Sequence, residues 1–550
     1  MNRRDAETLR YRESRSGIFL LFFSALCLCV SAVNLSCGSK PTDMRTLVPA
    51  ETLVYLETND LAAALQPIVD AKPFKDVAKT KPDFSALKGV QLAVAVTGFE
   101  TSEEKLTDEH SVGRVQPRFV AVADTHAWNY QAVAFAEQKL GGFVADIYDS
   151  EATVDRSDKH GGKYFIWTAV DGRKAYALVV DSIIYFGNDE SAIDKCLAVK
   201  RGESDSVAKA GKVKVASHET LASGYVSTDG VAQIANIVGL QFASQASEES
   251  EVQSAIAGIL PQLIRNSVTD INWIAAKTER GFEDKYQITM PSEVANVFSE
   301  TLVSNAASDR QMDAIDGIIS RIPADMVSST RYNLKAPQLA WRSVLLVAKD
   351  RTDAISGNLI AAFGQLLFVP YGIRDPEMFL SSLGNKDGRS PNIVTAKLDL
   401  DSEDPIVLSM SGDQMLMRKS FVSDLKLTSS GEDGWSSWST TDDEIQVLFE
   451  GDPIAIGSGE EIEKFNKRRS NANKEWISRL ATSDAPVVTL GKDSTTTLSL
   501  IAMLAREGHG DTQAVSTYLT ETRFTKTGME RKTTSDFGLI GSIIAQLAQD

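Results

Sequence analysis

Tyr176 to Glu190 read Tyr-Ala-Leu-Val-Val-Asp-Ser-Ile-Ile-Tyr-Phe-Gly-Asn-Asp-Glu. Two short apolar runs, rich in β-branched and aromatic residues, flank Asp181-Ser182, the composition of a tight turn between two strands. An amphipathic pattern, Ala192-Ile193-Asp194-Lys195-Cys196-Leu197, follows as a helix. The same order returns at Gln446 to Glu460, Gln-Val-Leu-Phe-Glu-Gly-Asp-Pro-Ile-Ala-Ile-Gly-Ser-Gly-Glu, where Gly457-Ser458-Gly459-Glu460-Glu461 open a helix after a strand. A strand–turn–strand–helix block met twice predicts a duplicated body.

Other stretches echo each other in the same order. Val48-Pro49-Ala50-Glu51-Thr52-Leu53 returns as Ile322-Pro323-Ala324-Asp325-Met326-Val327, and Asn59, Ala62 and Leu65 meet Asn333, Ala336 and Leu339. Trp167 to Asp171 parallels Trp438 to Asp442, and Lys277-Thr278-Glu279-Arg280-Gly281-Phe282-Glu283 parallels Lys526-Thr527-Gly528-Met529-Glu530. Two tandem α+β units are therefore expected, at 48–305 and 322–550, joined by a helical linker at 306–321. The acidic helix Ser244–Asn266 has no counterpart in the second unit.

Within the first unit the pattern predicts strands Thr52–Glu57, Val90–Val96 and Arg118–Ala123, with helices Leu61–Ala71 and Trp128–Leu140. Further strands are expected at 143–148, 163–169, 174–180 and 183–187. Short turns between them favour a mixed, mainly antiparallel sheet covered by helices over a doubly wound fold. The run from Val48 to Thr58 and the block 175–200 resemble a bacterial family of exported proteins catalogued only as a domain of unknown function. That resemblance implies an envelope location and no reaction, so it carries over no catalytic residue.

The N-terminal segment 1–37 points the same way. Five arginines precede Gly17 to Val33, a stretch without charge that is marginal for a hydrocarbon core of about 30 Å. The basic flank keeps the N-terminus cytoplasmic and sends the body outward. Three fates are open: cleavage after Ala32 in Val30-Ser31-Ala32, acylation of Cys37 in the lipoprotein-like Asn34-Leu35-Ser36-Cys37, or an uncleaved single-pass anchor. The polar stretch 38–47 after Cys37 reads as a tether, which favours the lipoprotein.

Composition narrows the function classes. The 550 residues suffice for two or more domains. A net charge of −17 repels phosphate backbones, so no nucleic-acid partner is expected. Four cysteines, three of them at positions 27, 29 and 37, exclude a disulfide framework, and Cys196 is expected as a buried small hydrophobe.

The motifs that carry chemistry are sparse. The five histidines (110, 126, 160, 218 and 509) show no metal-ligand spacing, and His160 reads as part of a turn. Asp399, Asp401, Glu403 and Asp404 look faintly like a calcium loop but lack its glycine and closing glutamate. Ser85-Ala86-Leu87-Lys88, Ser356-Gly357-Asn358 and Lys526-Thr527-Gly528 resemble the motifs of penicillin-binding enzymes, yet they fall in different repeat copies. Trp435 and Trp438 suggest sugar stacking, but Trp438 corresponds to Trp167 and is expected in a core.

The sequence thus predicts a non-enzymatic envelope protein without cofactor or metal. It would be a lipid-anchored binding or scaffold module, with the membrane and an envelope protein as partners. The alternatives are an exported serine hydrolase using Ser85, Lys88 and Lys526, or a carrier of an apolar ligand.

Overall fold

The computed structural model describes residues 41–105, 111–148, 152–213, 220–245, 251–304, 318–319, 321–383, 393–402, 404–431, 435–442, 444–468, 474–505 and 515–547. Cys37, Ala32, His110, His218, His509 and most of the expected linker lie outside them.

The first half contributes strands β1 (Val54–Thr58), β2 (Gln91–Lys105), β3 (Ser111–Asp124), β4 (Thr153–Lys159) and β5 (Gly162–Thr168). It continues with β6 (Lys174–Val180), β7 (Ile183–Gly187), β8 (Thr220–Val226), β9 (Asp270–Thr278) and β10 (Gly281–Thr289). The second half contributes β11 (Ser328–Tyr332), β12 (Ile393–Lys397), β13 (Ile406–Met410), β14 (Lys426–Ser430) and β15 (Trp435–Ser439). Its remaining strands are β16 (Ile445–Glu450), β17 (Pro453–Ser458), β18 (Val487–Asp493), β19 (Ser516–Thr525) and β20 (Gly528–Ser535).

All the strand pairings are antiparallel, and the protein is α+β, a large antiparallel sheet covered by helices. In the first half the order is β4-β5-β6-β7-β3-β2-β1-β8-β9-β10. In the second it is β14-β15-β16-β17-β13-β12-β11-β18-β19-β20. The two rows join where β10 pairs with β20, Lys285 facing Lys532 at mid-strand. The outer strands are polar: β14 is exposed along its whole length and β4 reads Thr-Val-Asp-Arg-Ser-Asp-Lys, the composition that discourages further pairing.

Alternation in β1 shows how one strand serves two cores. Tyr55 is fully buried with Cys196, Leu197 and Leu178 on one face. Val54 and Leu56 pack on the opposite face, against the cluster that holds Leu65, Phe119 and Trp167. That second cluster also takes in Phe537, Ile540 and Ile544, so the last helix, Gly538–Leu547, packs onto the first half. Gly538 (φ 64) starts this helix against Phe282, and a Cβ there would come within 2.7 Å of the ring.

One expected element is different. The stretch 143–148 is not a strand; Gly141–Ile147 is helical. Leu140, Phe143, Val144 and Tyr148 are all buried, a spacing of three and four that places them on one helix face. Gly141-Gly142 reads as a break, but Gly141 is needed for contact, since its Cβ would lie 3.0 Å from the indole nitrogen of Trp167. The hairpin β2–β3 is also longer than the expected 90–96 and 118–123. From Thr42 onward the stretch 38–47 is part of the body rather than a free tether, with Met44, Leu47 and Val48 buried in the first half.

Asp284 in β10 is buried between the halves. It accepts hydrogen bonds from Trp273 Nε1 at 2.8 Å and from the Leu539 N–H, in the first turn of the last helix, at 3.0 Å. Burial pushes its pKa up to about 6 against these two bonds, so the folded state holds this proton more tightly than the unfolded chain. The proton-linked stabilisation is fully present below pH ~4 and is lost as the pH rises through 6, a change of about 3 kcal/mol. Asp284→Asn should abolish this component of the pH dependence; denaturant unfolding of both proteins between pH 4 and 7 measures it.

Candidate functional site

The chain enters the body through a polar clasp. Gln91, at the start of β2, and Asp124, at the end of β3, are both buried and hold Thr42 from two sides. The Thr42 N–H donates to Gln91 Oε1 at 2.7 Å, and Gln91 Nε2 donates back to the Thr42 carbonyl at 2.8 Å. Thr42 Oγ1 donates to Asp124 Oδ2 at 2.7 Å, while Ser182 Oγ and the His126 N–H donate to Asp124 Oδ1 at 2.9 and 3.0 Å. Burial alone would raise the Asp124 pKa; the hydrogen bonds from Thr42, His126 and Ser182 outweigh it and hold the carboxyl below the usual range.

His126 adopts φ 51, a left-handed conformation supported by its N–H bond to the Asp124 side chain. Its ring lies between Asp124 Oδ1, 3.5 Å from Nδ1, and Gln91 Oε1, 3.2 Å from Nε2. The arrangement has the Asp–His half of a catalytic triad. Ser182, however, donates to the carboxylate, so it serves the fastening and is not the activated nucleophile of a triad.

The penicillin-binding residues are not brought together. Ser85 begins a single 3-10 turn, Ser85–Leu87, and donates to Asp83 Oδ2 at 3.0 Å; Lys88 is exposed just beyond it. This loop leads into β2 at Gln91. Lys526 sits in the two-residue turn between β19 and β20, beside Thr289 at the far end of β10. Following the register from Gln91 through Thr58, Gly281 and Ser535 shows that these are opposite strand ends. Ser356 donates to Asp353 in a third place, the first turn of the helix Ala354–Leu366.

The remaining candidates are structural. Cys196 is buried, and burial pushes its thiol up to about 12, which leaves no thiolate at neutral pH. His160 (φ 52) and Gly161 (φ 76) form the β4–β5 turn. Asp399 is occupied by the Arg468 guanidinium at 2.8 and 3.1 Å, and no metal-binding cluster is present among the described residues. Gly459 opens the helix Gly459–Arg468, with Ser458 Oγ accepting from the Glu461 N–H at 3.3 Å. Trp438 is covered by Arg418, 4.8 Å from its ring centroid, and offers no bare stacking face there. A cavity lined by Ile318, Leu408, Leu448 and Phe465 has room for about one water molecule, too little for an apolar ligand.

The feature that sequence reading missed is an exposed apolar surface. The helices Pro337–Asp350 and Ala354–Leu366 pack against each other and leave Leu339, Leu346, Ile355, Leu359 and Leu366 exposed; Leu367 and Val369 continue the patch. The stretch Ala354–Tyr371 is apolar enough for a membrane, yet only 12% of it is buried. Its helix has 13 residues, about 20 Å, shorter than a hydrocarbon core. Low polarity in 359–369, where Gln365 is the one polar side chain, is the signal that could have marked it. Ile355, Leu359 and Leu366, four and seven residues apart, share one face of their helix, and exposed apolar side chains so aligned are the kind a partner covers. The pair starts beyond Tyr332, at the strand ends opposite those that hold Thr42.

No family model matches the chain, and neither does any curated protein or solved structure.

Asp124→Ala should free the Thr42 segment without unfolding the sheet, since the lost bonds are worth about 1–3 kcal/mol together with their desolvation. Trypsin should then cut after Arg45 at least several-fold faster than in the parent protein, as read by N-terminal sequencing of the fragments.

Proposed function

We propose that this chain is a non-enzymatic protein of the bacterial cell envelope, held at a membrane by its N-terminal segment and acting as a binding module. The observation that carries the reading is the exposed apolar helix pair Pro337–Asp350 and Ala354–Leu366. Apolar surface of this extent costs solubility unless a partner covers it. The separation of Ser85 and Lys526 to opposite strand ends speaks against the hydrolase alternative. The partner is an envelope protein that meets the apolar pair, and no nucleic acid is involved.

The body is two tandem copies of one unit. The like order of strand pairing in the halves supports this, as does the correspondence of Val48–Leu53 with Ile322–Val327. The anchor is an acylated Cys37 preceded by a cleaved leader. The order of basic flank, apolar Gly17–Val33 and Cys37 supports that processing, and so does the resemblance of the opening run to exported proteins.

Two measurements test the reading. Expressed in a bacterial host, the parent protein should sediment with membranes and begin with an acylated Cys37 by mass spectrometry, and Cys37→Ala should lose both properties. A soluble chain beginning at Val33 would overturn the anchor. A photo-crosslinking residue at Leu346 should trap one discrete envelope protein in intact cells, whereas one at the exposed turn residue Val170 should not. Equal labelling at both positions would remove the binding surface.

A further inference from the structure

Resting on the anchoring reading, we propose that the strand ends holding Thr42 lie against the lipid bilayer, with Trp128 and Tyr130 seated in the headgroup region. Both side chains are about 70% exposed (68% and 70%), an unusual cost for large aromatics in water. They follow directly from the clasp: Asp124 holds Thr42 on one side and leads through the left-handed His126 to Trp128 on the other. Asn129 Nδ2 donates to the Asp181 carbonyl at 3.3 Å, which fixes this turn against the β6–β7 hairpin.

The length of chain between Thr42 and the membrane decides the occupant. Cys37 lies five residues before Thr42, so an acylated cysteine can stand no more than about 18 Å away even when the chain is fully extended. Because the clasp takes up the chain at Thr42, the stretch that would otherwise let the body drift from the surface is shortened. The end of the body that carries Trp128 is therefore the end the anchor draws in.

Local chemistry fits a lipid surface. From Thr125 to Ala136 the chain reads Thr-His-Ala-Trp-Asn-Tyr-Gln-Ala-Val-Ala-Phe-Ala, with no Asp, Glu, Lys or Arg in a protein of net charge −17. An uncharged segment can approach headgroups without a desolvation cost for its own side chains, while the neighbouring exposed Asp181 stays on the water side of the turn. Trp and Tyr are the side chains that favour the membrane–water interface, their rings in the acyl boundary and their N–H or O–H toward water. This contact would turn the opposite strand ends, where the apolar helix pair begins, away from the bilayer.

The test uses the full acylated chain in phosphatidylcholine liposomes that contain lipids brominated near the headgroup end of the acyl chain. Flotation reads anchoring, and bromine quenching of tryptophan emission reads apposition. The protein should float and show quenching that Trp128→Phe abolishes, while that variant still floats; of seven tryptophans, one then accounts for the effect. Tyr130→Trp should add to the quenching. A chain that floats with quenching indifferent to both substitutions overturns the apposed face and leaves the anchor standing. A chain that does not float overturns the anchor and the inference with it.

Discussion

The pairing of β10 with β20 is the contact on which the rest of the molecule depends. Each ten-strand row would otherwise end in an open edge of unpaired N–H and C=O groups, and the two edges satisfy each other from Phe282–Ser535 to Thr289–Gly528. The join is tight as well as long. Gly528 (φ 140) lies so close to the Ile288 carbonyl that a Cβ would approach within 2.1 Å, and Gly281 (φ 144) meets the Asp536 carbonyl at 2.5 Å in the same way. Each hairpin turn therefore abuts the end of the other half's last strand. A residue with a side chain at either glycine would push the rows apart as well as strain its own backbone.

That join also holds one of the buried charges. Asp284 lies inside it, and its two donors come from β9 and from the last helix, one from each half. Away from the join, Glu57 and Arg331 occupy corresponding places at the sequence offset of 274, the fourth residue of β1 and of β11. Glu57 accepts from Tyr55 and Ser223 at 2.7 and 2.9 Å. Arg331 donates to the carbonyls of Ala481, Ser483 and Ala485, and burial pushes its pKa down to about 10. One strand position thus carries opposite charges, Glu57 held by two hydroxyls and Arg331 by three carbonyls with its Nε left unbonded among the described residues, so the two cores are not interchangeable even where the pairing order agrees.

How much of this was legible follows from what each signal depends on. Strands 174–180 and 183–187 were readable because a two-residue turn fixes the hairpin register locally, and β6 and β7 lie there. The burial of Cys196 followed from its helix pattern alone. Helix Gly141–Ile147 was not readable, because two glycines imitate a break and only contact with Trp167 explains one of them. The β10–β20 join links residues some 250 apart, and no local pattern announces it. The clasp depends on Gln91 and Asp124, which are ordinary polar residues at strand ends until the fold brings Thr42 between them. The apolar helix pair escaped for another reason: apolar residues read as core, and sequence cannot tell a buried leucine from an exposed one.

Clasp, join and apolar pair together set the polarity of the molecule. The fastening at Thr42 ties the entry of the chain to two strand ends. It gains a purpose if the chain before it is under load, because a pull on the N-terminus is then borne by Gln91 and Asp124 at the ends of two central strands instead of by a frayed end. From those strands the hydrogen-bonded ladder runs unbroken through β1, β8 and β9 into β10 and across to β20. The second half, with its exposed helices, is thereby fixed rigidly to the point of attachment. A binding surface carried on a flexible linker would sample every orientation. If the N-terminal segment anchors the chain as proposed, a surface carried on a continuous sheet clamped at Thr42 presents one.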